Sequence, residues 1–147
     1  MAGILWTESL ATGVDWQDSQ HKELFNRINA LIDAMERHRE IDELSNIFSF
    51  LDKYAKTHFK KEEAFMDTHG YSDTSSHKAL HMTFLGNMTS IINEAGNCNS
   101  GDEIRRLVIK ARRLLVDWLF EHIAKVDKKL GSFMLEKNRA QRVSAKG

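Results

Sequence analysis

The chain is patterned for helices. Apolar residues recur at spacings of three and four along four long stretches, the interval at which side chains return to one face of an α-helix. The first seam reads His21, Leu24, Ile28, Leu31, Met35, with Asp18 or Ser19 as the predicted N-cap. The second, from about Asp42, reads Leu44, Ile47, Leu51, Tyr54, His58, Glu62, Phe65, widened by Phe48, Ala55 and Met66, with Gly70 as a stop signal. The third starts around 74–76, where hydroxyl residues can cap it, and reads His77, His81, Phe84, Met88, Ile91 with Leu85 beside it. Gly86 inside that pattern weakens it by about 1 kcal/mol relative to alanine. A loop over 96–101 follows, and Ser100 with Glu103 has the pattern of a capping box. The fourth seam reads Ile104, Val108, Ala111, Leu115, Trp118, His122, with Leu107, Leu114, Leu119 and Ile123 alongside.

Four amphipathic stretches with short connections predict an all-α fold, an antiparallel up-down-up-down four-helix bundle. The expected organisation is one domain over 1–147: an extended N-terminal arm over 1–16, the bundle over about 17–130 and a tail over 131–147. The arm has no sustained period, although Leu5, Trp6, Leu10, Val14 and Trp16 are apolar enough to pack on the domain. The tail begins with Phe133, Met134 and Leu135 and turns basic, so a short helix or a frayed end is expected.

Composition narrows the function classes. At 147 residues the chain can bury a real core, and the absence of proline suits an all-helical fold. Zero formal net charge, with no strongly basic face, argues against nucleic acid as a partner. No stretch approaches the ~20 apolar residues of a membrane span. The N-terminus lacks the basic region and apolar run of a signal peptide. The single Cys98 cannot form an internal disulfide and reads as a bystander in the loop before the fourth helix. Together these predict a cytoplasmic protein.

Histidine is the unusual residue: there are seven. Five of them, His21, His58, His77, His81 and His122, fall on the apolar seams, while His38 at a helix end and His69 in a turn are expected to be exposed. His58 and Glu62 are four apart, as are His77 and His81, so each pair shares a helix face. Imidazole and carboxylate are ligands for iron, zinc or manganese. The candidates sit at the starts of helices one and three and the ends of helices two and four, termini that share one end of an antiparallel bundle. Singly, a seam histidine reads as a hydrogen-bonded core residue. Five imidazoles and the Glu62 carboxylate at one buried level would be costly without a cation. Glu63, beside Glu62, reads as solvated. Asp127 lies five residues after His122, which on a regular helix turns it about 140° away. If it joins the same site, the helix must carry a wider turn there, such as a π-bulge. A structural zinc closes with four ligands, and this set is too large for one such ion.

These residues carry a resemblance. Gly13-Val14 leading to Asp18-Ser19-Gln20-His21-Lys22-Glu23-Leu24, then His58-Phe59-Lys60-Lys61-Glu62-Glu63 with Met66, then Gly70-Tyr71 before His77 and His81, then Trp118-Leu119 with His122-Ile123 and Asp127, resemble the hemerythrin family in its bacterial single-domain form. The resemblance spans roughly residues 6–130; Ser72 departs from it where many relatives place proline, which alters only the turn. It implies a non-haem di-iron centre with an oxo or hydroxo bridge: His77, His81 and His122 on one iron, His21 and His58 on the other, Glu62 and Asp127 bridging. It implies reversible O2 binding at the iron with fewer histidines, for storage, delivery to an oxygen-consuming enzyme, or sensing with a signalling partner, rather than enzymatic turnover. Leu24, Phe59, Trp118, Leu119 and Ile123 resemble the family's apolar oxygen pocket. The runner-up is a di-iron redox enzyme at the same centre: a peroxidase, an NO-handling enzyme or an oxidase.

Overall fold

The structure, a computed structural model, describes the backbone of residues 6–146 and the side chains of residues 6–143. Leu5, assigned above to the packed arm, lies outside them. Helix α1 spans Asp15–Glu36, α2 spans Ile41–His69 and α3 spans Thr74–Gly96. The fourth helix is continuous over 101–146 but not uniform. It runs as α4 (Gly101–Ala111), a π-helical turn (Arg112–Asp117), α5 (Trp118–Glu121), a second π-helical turn (His122–Asp127) and α6 (Lys128–Lys146). Neighbours pack α1 on α2, α2 on α3, and the fourth helix on both α1 and α3, the closed ring of an up-down-up-down bundle. The apolar seams meet inside: Leu24, Ile28, Leu31, Leu51, Ala55, Phe84, Met88, Ile91, Ala111 and Leu115 are fully buried.

Helix ends follow local chemistry, with some departures from expectation. Gly70 ends α2 in the left-handed conformation (φ 62°), and the Tyr71 amide reaches back to Met66 O. His38 does the same work after α1 at φ 55°, with the Arg39 amide on Ala34 O, although a side chain there costs more than glycine would. Ser100 caps α4 by accepting from the Glu103 amide. Neither Asp18 nor Ser19 caps α1, which begins earlier, after Val14. Asp18 instead turns its carboxylate back on the arm and accepts from the Thr12 amide and hydroxyl and the Gly13 amide at 2.7, 3.0 and 3.2 Å. Over its described residues the arm is therefore clasped and turns through a 3₁₀ helix, Glu8–Leu10, rather than being simply extended. At α3 the hydroxyls of Thr74 and Ser76 donate to carbonyls of Tyr71 and Asp73 instead of capping amides.

The tail is neither a separate short helix nor frayed within the described residues; it prolongs the fourth helix. Leu130 and Met134 are buried with Val14, Met66 and Tyr71, and Trp16, Phe65 and Phe133 pack around them. This second apolar cluster closes the bundle end beyond the seam histidines. Gly131 makes the closure tight, because a Cβ there would meet Thr12 Cβ at 2.7 Å.

Candidate metal centre

The fold brings all seven predicted ligand residues to one buried level. His21, His58, Glu62, His77, His81, His122 and Asp127 are each 4% exposed or less. They form two overlapping groups in which one ligand atom from each residue lies within 4.8 Å of the others: Glu62, His77, His81, His122 and Asp127 in one, and His21, His58, Glu62 and Asp127 in the other. Both carboxylates belong to both groups, and each splits its oxygens between them. Glu62 Oε1 faces His81 and His77 Nε2 at 3.2 and 3.8 Å, and its Oε2 faces His58 and His21 Nε2 at 3.4 and 3.6 Å. Asp127 Oδ1 faces His77 and His122 Nε2 at 3.0 and 3.2 Å, and its Oδ2 faces His21 Nε2 at 3.0 Å.

The second π-helical turn explains how Asp127 arrives. Its bonds run from residue i to i−5, so a residue five positions on returns to nearly the same face. Asp127 is buried there while Val126, nearer the regular register, is only half-buried.

These contacts are close yet do not have hydrogen-bond geometry. The Nε2 atoms of all five histidines, Glu62 Oε1 and both Asp127 oxygens are buried without a hydrogen-bond partner. Buried polar atoms in such number are costly unless something satisfies them. Five imidazole nitrogens and two carboxylates converging on two points, with no lysine or arginine among them, form a donor set that fits a pair of first-row transition-metal cations.

Electrostatics agree. Burial opposes charge on His21, but the carboxylates of Asp127 and Glu62 outweigh it and raise the imidazole to about 9. Burial likewise opposes the Glu62 anion, yet the charge of His58 and contacts with His21, His58 and His81 hold it well below the usual carboxylate range. Asp127, pushed up by burial and by Glu62, is held low by His122 and His21. The ionised carboxylates thus demand compensating positive charge from protons or from metal.

Around the cluster lie groups that sequence reasoning missed. Gln17 Nε2 donates to Glu62 Oε2 at 2.7 Å, Gln20 Oε1 meets His58 Nδ1 at 2.7 Å, and Glu63 Oε2 meets His81 Nδ1 at 2.8 Å. Glu63 is therefore engaged and half-buried rather than solvated. Position was the signal: each lies next to, or one turn from, a seam ligand. His38 is exposed as expected, whereas His69 is half-buried against the Phe65 ring at 4.2 Å. Of the expected pocket residues, Leu24, Leu119, Ile123 and Phe59 are buried, and Phe59 stacks on His81 at 3.9 Å. Trp118 is half-buried and stacks on His122 at 4.7 Å.

Residues 12–133 match the family described as the Hemerythrin HHE cation binding domain. The chain belongs to the hemerythrin family. It is 34% identical over 134 residues to the bacteriohemerythrin of Methylococcus capsulatus, covering 89% of this chain and 96% of the relative. It is 32% identical over 129 residues to the bacteriohemerythrin of Pseudomonas paraeruginosa, covering 86% and 78% of the two. A crystal structure of wild-type hemerythrin superposes with a TM-score of 0.70 at 32% identity, over 89% of this chain and 97% of that one. The all-helical bundle is thus that of a hemerythrin, and the buried histidine–carboxylate cluster fits a di-iron site. No helix among the described residues is long and apolar enough to cross a membrane.

Proposed function

We propose that this hemerythrin holds two iron ions and binds O2 reversibly, as a carrier, store or sensor and not as an enzyme. The observation that carries the reading is the division of the donors: three imidazoles on one side, two on the other, and two carboxylates whose oxygens face both. His77, His81 and His122 would hold one iron, His21 and His58 the other, with Glu62 and Asp127 bridging. The two-histidine side has fewer protein donors, which leaves room for a small ligand. When bound, such an iron pair supplies two electrons to O2 and recovers them on its release.

The residues around the site do the rest. Leu24, Phe59, Leu119 and Ile123 keep bulk water out, and Trp118 covers the His122 ring. None of these side chains carries an acid or base that drives O2 onward to oxidation chemistry. The apolar cluster of Val14, Met66, Tyr71, Leu130 and Met134 seals the bundle end. A reducing cytoplasm suits both ferrous iron and the free Cys98.

One observation favours the second reading, a redox enzyme. Trp118 and His122 line a surface cavity of about 170 Å³ with Leu80, Glu121, Lys125 and Val126. Their ring stack gives an external reductant an aromatic path to the cluster. The test is optical. The chain is loaded with ferrous iron without oxygen, exposed to air and then deoxygenated. A visible band that appears and then fades supports reversible binding. An irreversible change to a ferric spectrum with consumption of peroxide supports the enzyme. Failure to retain iron removes both.

A further inference from the structure

Among the described residues, two of the five cluster imidazoles have their second ring nitrogen held by protein, and the two holders differ in charge. His58 Nδ1 meets Gln20 Oε1, a neutral amide, at 2.7 Å. His81 Nδ1 meets Glu63 Oε2, a carboxylate, at 2.8 Å. The Nδ1 atoms of His21, His77 and His122 are buried with no hydrogen-bond partner. The helix explains why Glu63 can reach. Consecutive residues on α2 diverge by about 100°. With Glu62 aimed into the bundle, Glu63 swings toward α3, where His81 stands on the facing seam.

We propose that Glu63 is a positioning residue that fixes His81 as a ligand and makes the two metal positions electronically unequal. This rests on the reading that two metal ions occupy the cluster. For Nε2 to bind a cation its lone pair must be free, so the ring proton sits on Nδ1. An acceptor at Nδ1 enforces that state and the ring's orientation. A carboxylate acceptor does more. It draws the Nδ1 proton, makes the imidazole a stronger donor and adds a negative charge beside the three-histidine position. The two-histidine position meets neutral amides instead: Gln20 at His58 Nδ1, and Gln17 donating to the Glu62 oxygen that faces His58 and His21. Negative charge favours the higher oxidation state, so Glu63 holds the iron of His77, His81 and His122 toward ferric relative to its neighbour. The Glu63 side chain is 27% exposed, so solvent moderates the effect without erasing it.

Two variants of the full chain separate position from charge. Glu63→Gln keeps an acceptor oxygen and removes the charge; Glu63→Ala removes both. Zinc titration and proton NMR of the zinc-loaded protein report position without redox chemistry. The wild type and Glu63→Gln are expected to bind two zinc ions with a slowly exchanging His81 Nδ1 proton. Glu63→Ala is expected to lose that protection and to bind zinc about 10–100-fold more weakly. Redox titration of the iron-loaded chains reports charge. Glu63→Gln is expected to raise the midpoint potential, a tenfold relative loss of ferric affinity corresponding to about 59 mV. If Glu63→Ala keeps wild-type zinc affinity and proton protection, or Glu63→Gln keeps the wild-type potential, the proposal is overturned while the two-metal reading stands. Fewer than two ions per wild-type chain overturns both.

Discussion

His122 Nε2 lies 3.2 Å from Asp127 Oδ1 across five residues of one helix. Regular α geometry would place them about 140° apart. The π-helical turn His122–Asp127 removes that divergence and delivers the second shared carboxylate to the cluster. Asp127→Asn preserves the shape but withdraws the charge facing His21, His77 and His122. Metal content, measured by elemental analysis, is expected to fall below two ions per chain. Asp117→Asn, exposed at the end of the other π-helical turn, is expected to match the wild type. Two ions retained at wild-type affinity in Asp127→Asn would show that the turn does not serve the metal.

The two sides of the cluster predict unequal losses. His58 is one of only two imidazoles on its side. His58→Ala is therefore expected to lose one ion, or its O2 adduct, and to keep the other. His38 is exposed and holds a left-handed turn at φ 55°. His38→Gly should leave metal content unchanged and stabilise the fold by about 1 kcal/mol, since glycine adopts that conformation without the side-chain cost. Urea unfolding with metal analysis checks both. A loss of metal in the His38 variant would contradict the assignment of the site to the seams.

Gly131 and Gly86 form a matched pair. Both lie in helices, where alanine is favoured by about 1 kcal/mol. At Gly86 an added Cβ meets nothing within 4 Å, so Gly86→Ala should stabilise by that amount. At Gly131 it would meet Thr12 Cβ at 2.7 Å and Gln17 Oε1 at 3.3 Å. Overpacking of about 1–3 kcal/mol then outweighs helix propensity, and Gly131→Ala should be destabilising. The displaced Gln17 also donates to Glu62, so weaker metal binding is expected alongside the lower stability.

The bundle was legible because each helix repeats its apolar residues at 3 and 4, and histidines on such seams must point inward. Asp127 was legible only as a conflict between five-residue spacing and regular geometry, which a π-helical turn resolves. The π-helical turn at Arg112–Asp117 had no comparable marker. Asp18 looked like an N-cap because its side chain suits either task, and the partners that decide it, Thr12 and Gly13, are brought close only by the fold. Gln17 continues the first seam one turn before His21 and is buried, while Gln20 and Glu63 flank seam ligands; periodicity alone gives a polar residue at such positions no partner. Their roles depend on the angle at which neighbouring helices pack. The tail's continuation follows from Leu130 and Met134, four apart, whose burial needs the arm and the α2 end as partners.

Protons and metal compete for the same atoms, so bound metal should stabilise the chain more as pH rises. His21 is raised from 6.5 to about 9 in the metal-free fold. Its contribution to stability is then complete below 6.5 and is lost as pH rises through about 9. Glu62 and Asp127 are depressed, so their contribution is complete above the usual carboxylate range and is lost as pH falls through their lowered values. The metal-free chain is therefore expected to be most stable at mildly acidic pH and to lose stability from pH 6.5 to 9. Metal binding requires neutral imidazoles, so each displaced proton makes apparent zinc affinity rise about tenfold per pH unit across that window. Thermal unfolding with and without zinc, at pH 6 to 9, should show the two melting temperatures moving apart as pH rises. A gap that stays constant would mean that zinc displaces no protons and binds elsewhere.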